Sequence, residues 1–254
     1  MSADSPVLSA SAHQPSAPVL TSITFEYLDA PETLLADSLR HRSLVWTRNG
    51  HGLIGFGTAA RLHTHGEERF ARARAWFAQV IEQARIIDPI SRPGSGLVSF
   101  GSFAFSFTSV FESRMVIPQL VIGRDEEKSW ITVTGSAEEL DGLTYQQALA
   151  RAESAMADAS LPAAEPGSIE LTSGQLTAGS YLEAVDHALG YFEERGISKL
   201  VLARDVLAHS STPINLARVV DALTEQYGNC WTYSVDGLVG ATPEMLVRVT
   251  GGLA

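Results

Sequence analysis

Residues 180–248 constrain the fold of this chain most, because helix and strand patterns alternate there between clear turn signals. The first part predicts an amphipathic helix over residues 180–195, whose apolar residues recur at helical spacing: Tyr181, Leu182, Val185, Leu189 and Phe192. Ser180 and Glu183 have the spacing of a capping box, and Gly196 is typical of the left-handed residue that follows a helix. This helix therefore has a predicted start and a predicted end.

A buried strand is predicted over residues 200–207, because apolar residues occupy both faces of that stretch. Lys199 stands immediately before it. A lysine held partly out of water loses its proton more easily, since burial disfavours the charged form. The position therefore favours a lysine that acts as a base.

A second helix and a hairpin are predicted next. The helix begins after Thr212-Pro213 and ends at Gly228. Asp236-Gly237 is a favoured two-residue type I′ turn, so residues 230–235 and 238–241 are predicted to pair as a hairpin.

Glu244 follows this hairpin at an irregular position. Pro243 has no N–H to give to a neighbouring strand, so the ladder is interrupted before a further strand predicted at 245–249. Functional carboxylates are often found at such interruptions. Glu244 is therefore a candidate functional residue.

Three ordered motifs carry a family resemblance: Tyr181-Leu182-Glu183-Ala184-Val185, Lys199-Leu200-Val201-Leu202-Ala203-Arg204 and Val239-Gly240-Ala241-Thr242-Pro243-Glu244. They resemble the chorismate-binding enzymes, which include isochorismate, salicylate, anthranilate and aminodeoxychorismate synthases. Within this family the chain is most similar to isochorismate synthase. The resemblance implies a layered α+β fold, in which helices at 67–87 and 180–195 cover a large, mostly antiparallel sheet that is incomplete at the C-terminus.

The resemblance also implies two catalytic residues and leaves the substrate-binding residues unknown. Lys199 corresponds to the general base that activates a water attacking C2 of chorismate. Glu244 corresponds to the general acid that protonates the departing C4 hydroxyl. A lysine base near neutral pH needs a pKa about 3 below its ordinary ~10.4, which corresponds to roughly 4 kcal/mol. Burial supplies such a change, whereas a direct lysine–glutamate ion pair opposes it, so the two residues are expected to face the ligand from opposite sides.

Lys199 also separates members of the family. Anthranilate and aminodeoxychorismate synthases typically carry glutamine there, so a lysine implies water as the nucleophile. Isochorismate synthase and salicylate synthase then remain, and Gly240-Ala241-Thr242-Pro243-Glu244 is more similar to the former. A non-catalytic fragment or pseudoenzyme that acts only as a binding module is the alternative from another functional class.

Family members are considerably longer than this chain, and their magnesium-binding glutamates lie in the C-terminal half. The resemblance therefore implies a Mg²⁺ cofactor whose ligands are expected beyond Ala254, and no metal ligand within the chain. It also implies a truncated chain, or part of a longer enzyme, with an open sheet edge beside the final strands. The downstream pathway, menaquinone or siderophore biosynthesis, stays open.

Composition limits the partners and the compartment. The formal net charge of −11 lacks the basic footprint that nucleic-acid binding requires. Apolar runs fall short of the ~18 residues of a membrane span, and the N-terminus does not have the pattern of a signal peptide. The one cysteine, Cys230, excludes an internal disulfide and suits a reducing cytoplasm. These observations exclude nucleic acid and membrane as expected partners and indicate a cytoplasmic protein of undetermined oligomeric state, while the resemblance implies chorismate as the small-molecule partner.

The N-terminal part is predicted as a disordered tail at 1–20 that leads into a single domain at 21–254. The elements expected there are a strand at 23–28, an Asn49-Gly50 hairpin, an aromatic β-type run at 97–107 that packs in the core, strands at 116–122 and 130–134, a helix at 143–159 and a linker at 161–174. His63 and His65 share one face of a strand, but no third ligand is spaced to join them in a metal site.

Overall fold

The computed structural model describes residues 17–31, 44–159, 167–196 and 198–249. These residues fall into two compact units, which are described separately. The first unit contains residues 17–31, 44–159 and 216–249, and the second contains residues 167–196 and 198–215. The single domain predicted at 21–254 stays a prediction.

The described residues form four helices and thirteen strands, so the fold is α+β, as predicted. The helices are α1 (Arg69–Gln83), α2 (Tyr145–Ala159), α3 (Ala178–Arg195) and α4 (Leu216–Gln226). The strands are β1 (Thr21–Glu26), β2 (Leu44–Arg48), β3 (His51–Phe56), β4 (Ala60–Thr64), β5 (Arg85–Ile87), β6 (Phe100–Ser102), β7 (Ser113–Ile117), β8 (Leu120–Arg124), β9 (Ser129–Gly135), β10 (Ile169–Ser173), β11 (Val206–Ser210), β12 (Trp231–Val235) and β13 (Leu238–Thr242).

A large sheet of eight strands organises the first unit, in the order β13-β12-β2-β3-β8-β9-β1-β5. Its neighbouring strands pair antiparallel except β1 and β5, which run parallel. The large, mostly antiparallel sheet predicted from the resemblance is therefore confirmed. Among the described strands, β13 lies at one edge.

Helices α2 and α4 cover one face of this sheet. Ala148, Ala152 and Val220 from these helices join the core formed by sheet residues such as Ile54 and Ile122, which are fully buried. The other face meets a three-stranded sheet, β4-β7-β6, through contacts that include Leu44, Val235, Phe100 and Val116. Strand β12 thus packs on the three-stranded sheet through Val235, whereas Val239 of β13 packs on the side of the helices.

The prediction that the helix at 67–87 covers the large sheet is wrong, whereas the same prediction for the helix at 180–195 stays a prediction. Helix α1 packs through Trp76 and Val80 on Leu62 of β4 and Ile117 of β7, in the three-stranded sheet. It also ends earlier than predicted, because Arg85–Ile87 leave the helix and pair with β1 as β5. Helix α3 belongs to the second unit.

Several other predicted boundaries change in the first unit. The strand predicted at 116–122 is divided at Pro118, which separates β7 in one sheet from β8 in the other. In the aromatic run only residues 100–102 form a strand, and Phe105 and Phe107 are exposed instead of packing in the core. Residues 1–16 of the predicted tail lie outside the described residues, but Ala17 and Leu20 are buried, so the tail does not reach residue 20.

The second unit pairs β10 with β11 beside α3. Strand β10 occupies part of the linker predicted at 161–174, while residues 160–166 lie outside the described residues. Helix α3 begins two residues earlier than predicted. Thr177, and not the predicted Ser180–Glu183 box, caps it by accepting a hydrogen bond from the Ser180 N–H, and Gly196 ends it in the left-handed conformation, as predicted.

Candidate functional site

The β12–β13 hairpin carries the first predicted site residue, Glu244. Its turn residues Asp236 and Gly237 have φ values of 48° and 96°, which is the left-handed geometry of a type I′ turn. The two strands pair from Val235 opposite Leu238 to Trp231 opposite Thr242. The predicted hairpin is confirmed, and it delivers the chain to residue 243 at the edge of the large sheet.

Glu244 lies directly after the end of β13. The backbone N–H of Glu244 donates a hydrogen bond to Oγ1 of Thr242, at 3.1 Å across Pro243. The side chain of Glu244 is exposed. Residues 245–249 form neither strand nor helix and are exposed, so the strand predicted there is wrong. The carboxyl group is therefore set at an interrupted strand end with access for a ligand.

Lys199 lies in the second unit, in a connection without regular structure between α3 and β11. The buried strand predicted at 200–207 is wrong, because the strand forms at Val206–Ser210 and its residues are largely exposed. Val201 is 76% exposed and Lys199 itself is exposed, so the second unit by itself does not remove this lysine from water.

The connection that carries Lys199 is tied to its own unit at two points. The Tyr181 hydroxyl of α3 donates to the Leu202 carbonyl at 3.5 Å. The Asp205 carboxylate accepts a hydrogen bond from the Gln175 N–H at 2.9 Å. Lys199 and Glu244 thus lie in different compact units. Their action on one substrate stays a prediction.

A cavity of about 420 Å³ borders the Thr242 end of the hairpin within the first unit. Its lining is mostly apolar and aromatic, and includes Trp46, Leu53, Phe100, Phe103, Tyr233, Val235, Leu238 and Thr242. Thr242 therefore contributes both to this cavity and to the position of Glu244. The sequence reasoning missed the cavity, although the alternation in β2 places Trp46 on the face opposite the buried Val45 and Thr47.

A wider groove of about 770 Å³ shares Trp46 and Leu53 with this cavity. Trp46 stacks on Trp231 at 5.2 Å between ring centroids, and the Arg48 guanidinium lies 5.9 Å from the centroid of Trp231. Four arginines contribute to the lining, namely Arg48, Arg92, Arg124 and Arg248. Arg92 already pairs with the carboxylates of Asp125 and Glu127. Asp125, Glu126 and Glu127 line the same groove, which therefore combines charges of both signs with aromatic surface that no sequence motif had indicated.

Of the two histidines considered as a metal pair, His63 contacts a carboxylate instead. The Nδ1 atom of His63 lies 2.9 Å from the Glu112 carboxylate at the protein surface. In the part of the chain that the structure describes, no three His, Cys, Asp or Glu side chains group closely enough to hold a metal ion. The described residues therefore do not fit a magnesium centre.

Comparison with known proteins decides the family. A family model described as chorismate binding enzyme matches residues 7–253. This chain is a member of the chorismate-binding enzyme family. The recognition made from the three motifs is thereby confirmed.

This chorismate-binding enzyme is similar to isochorismate synthase MenF of Bacillus subtilis (strain 168), with 23% identity covering 79% of the chain and 46% of that relative. Its fold is similar to the solved structure of MenF, the menaquinone-specific isochorismate synthase from Escherichia coli. That match has 20% identity and a TM-score of 0.55, and it covers 92% of the chain and 53% of the solved chain. The chain spans about half the length of these relatives. Within the described residues, no helix is long and apolar enough to cross a membrane.

Proposed function

We propose that this chorismate-binding enzyme converts chorismate to isochorismate, with Lys199 as the general base and Glu244 as the general acid. The observation that carries the proposal is the Thr242-Pro243-Glu244 terminus of β13. There a backbone hydrogen bond sets an accessible carboxyl group at the position that the motif assigns to the acid. The similarity to two isochorismate synthases supports the same reaction.

The proposed reaction exchanges a ring hydroxyl without any oxidant or reductant. Lys199 accepts a proton from water while the water oxygen bonds to C2 of the ring. The ring double bonds shift, the C4–O bond breaks, and Glu244 gives its proton to the departing hydroxyl, which leaves as water. One water enters and one leaves, so the product is an isomer of the substrate.

The exposure of Lys199 places a demand on this mechanism. An exposed lysine holds its proton at neutral pH, and removal from water favours its neutral form. The proposal therefore requires the bound ring to exclude water from Lys199 in the assembled site. The bound ring must exclude water from Glu244 as well, because a carboxyl group shielded from water holds its proton more tightly.

A Mg²⁺ cofactor is also proposed, with its ligands among residues that the structure does not describe. In the family the ion neutralises the carboxylate of the ring, and the described part of this chain supplies no donor set for it. Menaquinone biosynthesis is the proposed pathway, supported by the name of the Escherichia coli relative.

Turnover of chorismate by the protein expressed from its complete reading frame tests the proposal. Isochorismate as the product, with the mass of chorismate, supports it. Salicylate as the main product favours a salicylate synthase, which also uses a lysine at the position of Lys199. Binding of chorismate without any turnover favours a non-catalytic binding module.

Lys199→Gln and Glu244→Gln test the two assigned roles. Each is expected to lower kcat by at least ~10²-fold while KM changes little, because proton transfer acts mainly in the transition state. Lys128→Gln is the matched lysine control. Lys128 forms an ion pair of 3.0 Å with Glu26, and both residues lie away from the β12–β13 hairpin. Glu82→Gln on the exposed side of α1 is the carboxylate control. Near-normal kcat in Lys199→Gln or Glu244→Gln means that the role belongs to another residue.

A further inference from the structure

Two arginines of the three-stranded sheet hold the turn of the β12–β13 hairpin. Arg61 of β4 and Arg114 of β7 both reach Asp236, the first of the two turn residues. Nη2 of Arg61 lies 3.4 Å from Oδ1 of Asp236, and Nη1 of Arg114 lies 3.3 Å from Oδ2. Nη1 of Arg114 also donates to the backbone carbonyl of Asp236 at 2.7 Å. We call these three residues the tip clamp.

An apolar contact supports the tip clamp from the same side. Val235, which precedes the turn, is 5% exposed and belongs to the same buried cluster as Phe100 of β6 and Val116 of β7. Arg61 lies opposite Val116 in the pairing of β4 with β7, so both face one side of the three-stranded sheet. Arg114 precedes Val116 by two residues and shares that side. The turn is therefore docked on one face of the three-stranded sheet by apolar and charged contacts together.

The ladder of the hairpin connects this turn to its opposite end. Five cross-strand pairs join β12 to β13, and the last of them places Thr242 opposite Trp231. Strand β2 pairs with β12 over Thr232–Ser234, in the middle of this ladder. The hairpin is thus fixed to the large sheet at its middle and to the three-stranded sheet at its turn. These two attachments together set the direction of the hairpin, and with it the place of Thr242.

The cavity of about 420 Å³ lies along this hairpin. Phe100 and Phe103 line it from the side of the three-stranded sheet, and Tyr233 and Thr242 line it from the hairpin. Because the tip clamp joins these two sides, it sets the distance between the walls of the cavity. Thr242 also accepts the hydrogen bond from the Glu244 N–H. The clamp therefore acts on the end of the cavity from which Glu244 emerges.

We propose that Asp236 is a positioning residue for Glu244. Its pairs with the two arginines hold the hairpin at the angle that presents the acid to the ring. This role rests on the proposed function, because Glu244 is the general acid of that reaction. The paired side chains are partly exposed, so the pairs contribute little to the free energy of unfolding. A reacting group misplaced by about 1 Å, in contrast, can lower the rate by ~10²-fold.

Arg114→Met and Asp236→Asn test the tip clamp in the protein expressed from its complete reading frame. Methionine keeps an unbranched side chain but donates no hydrogen bond. Asparagine keeps the turn, since Asn-Gly is also favoured in type I′ turns, and removes the charge. We expect kcat to fall at least ~10-fold in Arg114→Met and about 3-fold in Asp236→Asn, which retains the bond to the backbone carbonyl. KM and the midpoint of urea unfolding are expected to stay close to those of the unmodified protein.

The Glu244→Gln background separates positioning of the acid from a general effect on the fold. In that background Arg114→Met is expected to lower kcat no further, because the group that it positions no longer carries the proton, whereas independent losses multiply. Asp141→Asn is the matched control, since it makes the same change in another Asp-Gly pair of the first unit, where the side chain is exposed. It is expected to leave kcat unchanged.

Two outcomes overturn the positioning role and leave the proposed function standing. One is an unchanged kcat in Arg114→Met beside an impaired Glu244→Gln, and the other is a further loss of kcat in the double variant. An unchanged kcat in Glu244→Gln contradicts the proposed function instead. The NMR resonance of the Glu244 amide tests the clamp without turnover: it is expected to shift in Arg114→Met and not in Asp141→Asn. An unshifted resonance in Arg114→Met contradicts the action of the clamp on Glu244.

Discussion

Glu244 is positioned by its two predecessors in the sequence. Thr242 accepts a hydrogen bond from the Glu244 N–H, and Pro243 between them cannot donate to a neighbouring strand. The carboxyl group therefore stands at the edge of the large sheet, where a ring in solution can reach it. Lys199 has no comparable support, since its connection in the second unit is exposed and irregular.

Tyr27 tests whether the core beneath α2 excludes water from a titratable side chain. It is buried in the cluster beneath α2, and burial raises the pKa of its phenol, with a smaller contribution from the nearby Glu153 carboxylate. The folded protein then holds this proton more tightly than the unfolded chain does. The contribution of this proton to the free energy of unfolding is present below the ordinary tyrosine pKa of about 10. It is lost as pH rises through the pKa that Tyr27 has in the folded protein.

We expect the free energy of unfolding to fall as pH rises above about 10, the ordinary tyrosine pKa, and Tyr27→Phe to make that fall shallower. Urea unfolding at several pH values measures both slopes. Tyr191→Phe is the control, because Tyr191 is 44% exposed on α3 and should leave the slope unchanged. An identical slope in Tyr27→Phe would mean that burial does not perturb this phenol.

Single residues could be placed from the sequence where their neighbours determine the geometry. Pro243 predicted the interrupted position of Glu244, and the structure has that interruption. The exposure of Lys199 could not be predicted, because burial depends on residues distant in the sequence. Arg114 was missed for the same reason, since its partner Asp236 lies 122 positions away.

At the scale of elements, the β12–β13 hairpin depends on Gly237 in its turn. Gly237 has a φ of 96°, where a side chain is strained even though nothing lies within 4 Å of an added Cβ. Gly237→Ala is therefore expected to destabilise the protein by about 1–2 kcal/mol, measured by urea unfolding.

Gly190→Ala is the informative comparison. Gly190 lies within α3 without a positive φ and also has open space around it. Alanine there is expected to stabilise the helix by about 0.5–1 kcal/mol. If Gly237→Ala causes no loss of stability, the backbone of the turn does not have the left-handed geometry described here.

Elements with local signals were predictable, and those that depend on distant pairing were not. The Asn49-Gly50 and Asp236-Gly237 turns predicted both hairpins, because their left-handed residues select the type I′ turn. The end of α1 was predicted too late because Arg85–Ile87 join the sheet only through β1, more than sixty positions earlier. The apolar run at 200–207 has the composition of a buried strand, yet periodicity alone does not show what will cover it.

At the scale of the whole molecule, family membership and the layered α+β fold agree with the architecture inferred from three short motifs. The formal net charge of −11 does not prevent binding of an anionic ring, because local arginines can override the global field. The groove beside Trp46 and Trp231 contains four arginines, but three carboxylates line it as well, so it is not by itself a cationic site. Catalysis by this chain, its magnesium ion and its cytoplasmic location remain predictions.

The proposed reaction requires that water adds to the ring of chorismate while the original hydroxyl leaves. The direct test is turnover of chorismate in water enriched in heavy oxygen, with the protein expressed from its complete reading frame and the product analysed by mass spectrometry. We expect isochorismate that contains one heavy oxygen atom, located in the hydroxyl at C2. Unlabelled isochorismate would mean that the hydroxyl migrates within the substrate, and an absence of turnover would contradict the proposed activity itself.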